Sequence, residues 1–421
     1  MSELHLFIIW KNALNKKQVI LDDIKKHFEI IEVYEVLWSN KEYSNNLSRF
    51  YGTSLPDGSY KEEHCGKGTF LLIIVKDNMP KYDNRMTSRG MELVNINMFD
   101  RKTYYRNITG GGHRIHATNS LSETNHDLTL LIGKNVNDYL FEHQFSWNGK
   151  EKHINSDLVG SNGFDSVSEM FYVLNNCTNY AILRNYETLP DEIYVNEHND
   201  IDLICESREN VAYALNATKA QEEDYRVQYH VKVKGRQANF DLRYIGDKYY
   251  DCDLEKAMLQ HRIYNDKGFY TLSEEYYFYT LLYHAVIHKR IFSNDYIKKL
   301  DELNIDIEEF NLKGLINQLD TWMIKNKYII EKPNDSSVYF NLDNLKYVSK
   351  LIYRNNEKEI ELGNQVKYLT DKLNAITYSR TWRYTEFIRK INCKIKQINL
   401  KINIKNNLKN IFNEKKQYND V

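Results

Sequence analysis

In the first third of the chain, short apolar stretches are separated by polar segments and by a segment whose apolar residues recur at helical spacing. The stretches LHLFIIW (4–10), EIIEVYEVLW (29–38) and GTFLLIIVKD (68–77) are short, apolar and bounded by polar segments, so each predicts a strand. Between Lys17 and His27 the apolar residues recur at helical spacing, which predicts an amphipathic helix. Strands that alternate with helices predict an α/β or α+β domain over residues 1–145.

The periodicity breaks in the polar stretch HQFSWNGKEKHINSDLVGSNG (143–163), which predicts an exposed connection between domains. Beyond it, DSVSEMFYVLNNC (165–177) predicts a helix. Four strands are predicted at YAILR (180–184), DIDLIC (200–205), QYHVKVK (228–234) and ANFDLRYIG (238–246). From SEEYYFYTLLYHAVIHK (273–289) to about Lys327 the pattern is mainly helical. The second domain is therefore expected over residues 160–345, as a mixed sheet with a helical extension.

The C-terminal region, residues 356–421, has the pattern of amphipathic helices. The heptad-like run EKEIELGNQVKYLTDKLNAI (357–376) predicts a short coiled coil or a single helix, either of which gives a homo-oligomer a place to form. In SRTWRYTEFIRK (379–390), Trp382 and Tyr384 stand among arginines, as in a basic helix that lies on an anionic membrane surface. A solvated or oligomerising helix explains this composition equally well.

The charge balance and the cysteines narrow the class of protein. Lys and Arg number 57 against 58 Asp and Glu, so the chain lacks the basic excess of a general nucleic-acid binder, and no nucleic-acid partner is expected. The five cysteines form no CxxC pair, which argues against a disulfide framework and a structural zinc site. Together with an N-terminus that is unlike a signal peptide, these features predict a cytoplasmic protein, either free or peripheral on the inner face of the plasma membrane.

Three carboxylates on predicted strands are the first candidate site. Asp200 and Asp202 are two residues apart, so they share one face of their strand, and Asp241 has the same setting between Phe240 and Leu242. Carboxylate oxygens completed by substrate phosphates are the ligands that Mg²⁺ or Mn²⁺ prefers, and Arg243 would contact a phosphate. The competing interpretation is that these acids belong to a solvated sheet face.

The segment around these carboxylates resembles the nucleotidyltransferase superfamily, including members associated with bacterial polysaccharide loci. The resemblance rests on YAILRNYETLPDEIYVNEHNDIDLIC (180–205) and extends over residues 164–289. It implies that Asp200, Asp202 and Asp241 are metal-binding and catalytic residues. It also implies a nucleotide donor such as ATP, a CTP-derived donor or a nucleotide-sugar. The superfamily's small glycine turn is replaced here by residues 183–186, where Arg184 is expected to contact the phosphates in its place.

A second candidate site lies in NITGGGHRIHATNSLSETNHDLTLLIG (107–133). Glycines allow the backbone to approach a phosphate, basic residues add charge and a following helix adds its dipole. The predicted phosphate-binding residues are Gly111, Gly112, His113, Arg114, His116 and Glu123. The phrase GGGHRIHA resembles the Gly-His-Arg signature of the ParB and sulfiredoxin fold, which implies nucleotide binding and, in some members, phosphate transfer.

The second site has its own alternatives. Sulfiredoxins use a cysteine where this chain has Gly112, so sulfinic-acid repair is not expected, and Cys65 is interpreted as a small packed residue. The cluster is also compatible with an ordered loop before a helix that begins at Ser122 or Thr124. His284 and His288 are one helical turn apart but lack the glutamate of a zinc-protease motif, which favours packed histidines.

Segment 379–390 is similar to a tract near the C-terminus of many bacterial glycosyltransferases. With the other resemblances it implies a magnesium-dependent transferase of surface-glycan biosynthesis, in capsule or lipopolysaccharide, that moves a phosphate or phosphate-linked group from a nucleotide to a sugar. The alternatives are a kinase seated at His113, Arg114 and Glu123 with a degenerate second domain, a non-catalytic membrane-associated scaffold, and a nucleotidylating toxin.

Overall fold

The computed structural model describes residues 2–88, 90–143, 146–193, 200–303 and 311–353, together with 365, 368–370 and 372. Residues Met1–Tyr353 form one compact unit and Arg354–Val421 form a second. Most of the heptad-like run and all of segment 379–390 lie outside the described residues. The coiled coil, the membrane contact and the homo-oligomer therefore stay predictions.

The first half of the compact unit carries a five-stranded sheet and a separate hairpin. Its strands are β1 (Glu3–Ile9), β2 (Glu29–Val36), β3 (Phe70–Asp77), β4 (Tyr82–Thr87), β5 (Gly90–Asn95), β6 (Ile115–Ala117) and β7 (Lys152–Ile154). The sheet order is β6-β1-β3-β2-β7, all neighbours being antiparallel except β2 and β7, and β4 pairs with β5. The three strands predicted from the apolar stretches are confirmed.

The helices of this half are α1 (Lys17–His27), α2 (Tyr43–Tyr51), α3 (Tyr60–Cys65), α4 (Ile96–Ile108), α5 (Leu121–Ile132) and α6 (Val136–Glu142), with a 3-10 helix over Lys11–Lys16. The predicted helix from Lys17 to His27 is confirmed at both ends. The stretch 143–163, expected to be only a connection, instead contributes β7 to the edge of the first sheet. A three-residue strand is too short to show a period of two.

The second half carries a seven-stranded sheet in the order β10-β11-β12-β9-β8-β14-β13. Its strands are β8 (Tyr180–Arg184), β9 (Asp200–Cys205), β10 (Thr218–Lys219), β11 (Gln228–Val233), β12 (Arg236–Tyr244), β13 (Ile263–Tyr264) and β14 (Tyr270–Thr271). The β9–β12 and β8–β14 pairs are parallel and the others antiparallel.

The helices of the second half are α7 (Val167–Cys177), α8 (Arg208–Leu215), α9 (Cys252–Gln260), α10 (Glu274–Ile287), α11 (Asn294–Asp301), α12 (Leu312–Asn326) and α13 (Leu342–Leu345). The chain therefore has the predicted α/β class, with mixed sheets and many helices. No helix in the described ranges is long and apolar enough to cross a membrane.

One apolar core is shared by the two sheets. Trp10 and Phe70 of the first half and Phe171, Leu203 and Phe240 of the second belong to the same buried cluster. Two further clusters fill the opposite face of the first sheet and the space around α10 and α12. The halves predicted as 1–145 and 160–345 therefore bury a common interior.

The Arg49 side chain of α2 reinforces this junction. It is 1% exposed, and its guanidinium donates hydrogen bonds to the carbonyl oxygens of Tyr213 (2.9 Å), Ala214 (3.0 Å) and Val159 (2.6 Å) and to Oγ of Ser161 (2.8 Å). A buried guanidinium is tolerated because these acceptors replace its lost hydration. Arg49 thus ties α2 to α8 and to the chain between the two sheets.

Candidate active site

The register of two parallel strands decides where the three carboxylates lie. Asp202 of β9 is directly paired with Asp241 of β12, and Asp200 is paired with Asn239 two residues earlier. Since side chains alternate along a strand, all three carboxylates lie on one face of the sheet. Ile201 and Phe240 point the other way, into the shared core. The apolar alternation that forms the strands therefore also aligns the acids.

Arg184 of β8 lies against this face from the neighbouring strand. It is paired with Asp202 after a register shift, and its Nη2 lies 2.9 Å from Oδ1 of Asp202. Both side chains are largely buried. Burial by itself lowers the pKa of Arg184, but the charge of Asp202, together with Tyr249, Tyr250 and Tyr296, more than offsets that effect, and the pKa lies well above its ordinary value. The guanidinium is therefore charged and engaged by one of the three carboxylates.

The turn after β8 replaces a glycine turn with an asparagine. Asn185 has a φ of 61°, in the left-handed region that glycine and asparagine adopt most readily. The chain therefore makes a left-handed turn directly after Arg184 without a glycine. The Arg184 and Asn185 side chains face the same cavity as the carboxylates.

Asp241 is the least satisfied carboxylate of the three. Its Oδ1 is buried and has no hydrogen-bond partner among the described residues. Burial, followed by the charge of Asp202, raises the pKa of Asp241 to about 6, although Arg243 acts in the opposite direction. The raised pKa means that ionised Asp241 is unfavourable beside Asp202. A cation bound between these two carboxylates would stabilise their negative charges.

Arg243 lies deeper than the sequence analysis expected. Its Nη1 is 3.6 Å from Oδ2 of Asp247, its Nη2 is 3.5 Å from Oδ2 of Asp335, and its Cζ lies 4.1 Å from the centre of the Tyr249 ring. Only 5% of the residue is exposed. It lines the cavity, but two acidic residues and an aromatic ring already hold it, and its Nη1 makes no hydrogen bond with the described residues.

A cavity of about 710 Å³ opens above these residues, and we call it the carboxylate cavity. The end of α10 and the chain after it also line this cavity, through His284, His288, Lys289 and Arg290. Burial lowers the pKa of both histidines well below the ordinary value, so both are neutral. Neither ring nitrogen of His288 has a partner among the described residues, whereas Nδ1 of His284 lies 2.6 Å from the hydroxyl of Tyr249.

Some features of this site suit a divalent cation and others do not. The unpartnered Oδ1 of Asp241 opposite Asp202 suits a cation, and Asp200 on the same face supplies further negative charge. In the part of the chain that the structure describes, however, no three His, Cys, Asp or Glu side chains are already gathered as a metal-binding group. Arg184 occupies Oδ1 of Asp202, so a metal at this carboxylate pair would share Asp202 with Arg184.

The residues of the Gly-His-Arg segment are only partly brought together. His113, His116 and Glu123 line a larger cavity of about 1200 Å³, which is lined by residues of both halves and which we call the histidine cavity. Gly111, Gly112 and Arg114 are not among the residues that line it.

The glycine loop and the helix after it also differ from expectation. The loop is followed by strand β6 rather than directly by a helix, and Arg114 donates to the carbonyl of Thr109. Ser120 is the N-cap of α5, rather than Ser122 or Thr124 starting the helix, and Glu123 accepts a hydrogen bond from the Asn119 amide at 2.6 Å. Ser120 and Glu123 therefore form a capping arrangement at the start of α5.

Several site residues were not singled out from the sequence. Lys289 and Arg290 follow α10 directly, and their basic side chains gave no periodic or motif signal. His288 had a signal in its spacing from His284, although the apolar helix around them favoured packing. Comparison with the models of known protein families and with curated proteins gives no match for this chain.

Proposed function

We propose that the chain is a magnesium-dependent transferase that moves a phosphate or phosphate-linked group from a nucleotide donor to a sugar hydroxyl. The observation that carries the proposal is the direct parallel pairing of Asp202 with Asp241, with Asp200 on the same face. A sheet face with three carboxylates and a basic rim suits a donor that arrives with its own metal ion and phosphates.

The roles within the carboxylate cavity follow from charge and burial. Asp200, Asp202 and Asp241 would hold the metal, which supplies charge stabilisation at the transferring group and its leaving oxygen. Lys289 and Arg290, which line the same cavity, would contact the donor phosphates. Neutral His288, whose two ring nitrogens have no partner among the described residues, would accept a hydrogen bond from the acceptor hydroxyl.

The setting in surface-glycan biosynthesis is the part of the proposal that rests on resemblance. It depends on the likeness of residues 164–289 to nucleotidyltransferases from polysaccharide loci and on the likeness of segment 379–390 to glycosyltransferase tails. The donors to test first are therefore ATP, CTP and nucleotide-sugars.

Calorimetric titration of the full chain with these donors, with and without Mg²⁺, tests the proposal. The variant Asp200→Asn with Asp241→Asn keeps side-chain shape and leaves the Arg184–Asp202 ion pair intact. We expect it to weaken magnesium-dependent donor binding at least tenfold. Asp253→Asn, at an exposed surface ion pair, is the matched control and should bind as the unmodified protein does.

Three outcomes would contradict this proposal. Donor binding that is unchanged in the double variant would remove the carboxylates from the function. If the unmodified protein binds neither Mg²⁺ nor any nucleotide, the scaffold alternative is supported instead. Donor turnover that survives in the double variant would favour the kinase alternative in the first half.

A further inference from the structure

The histidine cavity contains a histidine–aspartate pair that the proposed transferase does not use. Nε2 of His116 lies 2.7 Å from Oδ2 of Asp127, and Nδ1 of His126 lies 2.9 Å from the other oxygen of the same carboxylate. Asp127 is 2% exposed. Burial acts to raise the pKa of Asp127, but the two histidines outweigh it and hold that pKa below its ordinary value. Asp127 is therefore a carboxylate at neutral pH.

An ionised Asp127 selects one tautomer of the neutral His116 ring. The carboxylate accepts a hydrogen bond from Nε2–H, so in the neutral imidazole Nδ1 is the acceptor. Within the described residues Nδ1 of His116 has no hydrogen-bond partner, and His116 lines the cavity. The rings of Phe50 and Tyr51 pack edge-on against His116, with centroids 5.1 Å and 5.7 Å away. The ring is thus held in place from one side by charge and from another by aromatic contact.

Two cations, Lys61 and Arg106, lie near this pair, and the described residues give neither of them an acidic partner. Nζ of Lys61 is 3.7 Å from the centre of the Tyr51 ring, whose edge packs with His116, so Tyr51 connects the lysine to the pair. Arg106 uses Nε to donate to the carbonyl of Ile115. Among the described residues neither cation has a carboxylate oxygen within 4.0 Å.

Lys61 and Arg106 both act on the pKa of His113, and Arg106 also acts on that of Lys61. Burial, and then the charge of Arg106, lower the pKa of Lys61. Burial, followed by Lys61 and Arg106, lowers the pKa of His113 to about 4, so this third basic group in the cavity is neutral. Two positive charges to which the described part of the chain gives no acidic partner favour a ligand with two negative charges in this partly buried cavity.

The other charged residues of the cavity are already engaged. Nζ of Lys102 donates to the carbonyl of Ala117 at 3.2 Å, and Glu123 caps α5. Arg262 donates to the carbonyl of Tyr180 and stacks on a tyrosine ring. Lys61 and Arg106 thus supply the two cations of the proposed site, and among the described residues neither has a carboxylate oxygen within 4.0 Å.

From this arrangement we propose that the histidine cavity binds a phosphate monoester that also carries a hydroxyl group. The phosphate lies against Lys61 and Arg106, and the hydroxyl donates a hydrogen bond to Nδ1 of His116, whose orientation is set by Asp127. The volume of about 1200 Å³ is ample for a small phosphorylated molecule. This site is separate from the carboxylate cavity and requires neither metal nor nucleotide.

Calorimetric titration of the full chain with three probes tests the proposal, in buffer free of Mg²⁺, phosphate and nucleotide. Glycerol 3-phosphate carries a phosphate and hydroxyls, methyl phosphate lacks the hydroxyl, and glycerate has a carboxylate in place of the phosphate. We expect glycerol 3-phosphate to bind most tightly and glycerate most weakly. Because each variant removes a charged group that would contact the phosphate, Lys61→Met and Arg106→Met should each weaken the binding of both phosphate probes at least tenfold.

His116→Gln separates the two halves of the proposal. It should reduce the affinity for glycerol 3-phosphate to that for methyl phosphate and leave methyl phosphate binding unchanged. Arg101→Met, on the same helix as Arg106 but paired with Asp23, is the matched control and should bind every probe normally. If Arg106→Met fails to fold, Arg106→Lys keeps the charge but loses the planar fork, and it should show a smaller loss.

Three results would overturn the proposal. One is wild-type affinity for glycerol 3-phosphate in the Lys61 and Arg106 variants. Another is glycerate binding as tight as that of glycerol 3-phosphate, which would make this a carboxylate site. The third is the absence of binding of all three probes at millimolar concentration. None of these results depends on donor binding at Asp200, Asp202 and Asp241.

Discussion

Replacing Asp241 with asparagine is expected to make the protein more stable at neutral pH. In the folded chain the pKa of Asp241 is raised from 3.8 to about 6 by burial and by the charge of Asp202. At about 1.4 kcal/mol per pKa unit, this difference corresponds to up to about 3 kcal/mol. Since asparagine resembles the protonated carboxyl group, the variant should recover most of this free energy of unfolding.

The size of this effect depends on pH. The raised pKa means that the folded state binds the proton more tightly than the unfolded state does. The destabilisation is therefore absent below pH 3.8, grows as the pH rises from there to about 6, and is complete above that. At about pH 4, Asp241→Asn should unfold at the same urea concentration as the unmodified protein. At pH 7.5 it should require a higher urea concentration.

Urea unfolding followed by tryptophan fluorescence at both pH values measures this difference. Asp253→Asn, which alters an exposed carboxylate paired with Lys256, should change stability little at either pH. Lower stability of Asp241→Asn at pH 7.5, or an equal difference at both pH values, would refute the reasoning. In that case Asp241 would be a well-satisfied structural carboxylate rather than a carboxylate held for a ligand.

Three further outcomes follow from buried groups elsewhere. Asp202→Asn alone should lower the free energy of unfolding by about 3–5 kcal/mol because it leaves Arg184 charged and buried, and Arg184→Met in the same chain should restore part of the loss, as a double-mutant cycle in urea would measure. Arg49→Met should cost about 3 kcal/mol or more through the loss of four hydrogen bonds at the junction of the sheets, and a loss below 1 kcal/mol in the same assay would contradict that role. Burial raises the pKa of Cys65 to about 12, so iodoacetamide at pH 8 should label it only after unfolding, and peptide mass analysis of native and unfolded samples would show this.

The strong periodic stretches of the sequence predicted the fold well, and the short elements escaped prediction. The strand at 68–77 and the helix from Lys17 to His27 carry enough apolar positions for a period to be read. Strands β7, β10, β13 and β14 have only two or three residues each, so their pairing is decided by neighbours that are distant in the chain. Fold class could thus be predicted, while the edges of both sheets could not.

The candidate site was predictable in part for the same reason. Alternation along a strand places Asp200 and Asp202 on one face, but only the observed register brings Asp241 directly opposite Asp202. The ion pair of Asp202 with Arg184 depends on a register shift that no local pattern encodes.

The Gly-His-Arg segment shows how a local motif can have a second role. Its polar residues suggested a phosphate loop, yet Ser120 and Glu123 have the spacing of a capping box and serve the start of α5. Lys61 and Arg106, which have no carboxylate oxygen within 4.0 Å among the described residues, belong to two helices far apart in the chain, and only tertiary packing brings them into one cavity.

The interior shared by the two sheets bears on how the chain can be divided. A fragment that ends near residue 150 would leave Trp10 and Phe70 without Phe171, Leu203 and Phe240, which belong to the same buried cluster. Such a fragment would expose apolar surface that promotes aggregation. It would therefore be unsuitable for assigning an activity to either half. Experiments that dissect this protein should therefore change single side chains within residues 1–353 and leave the backbone uncut.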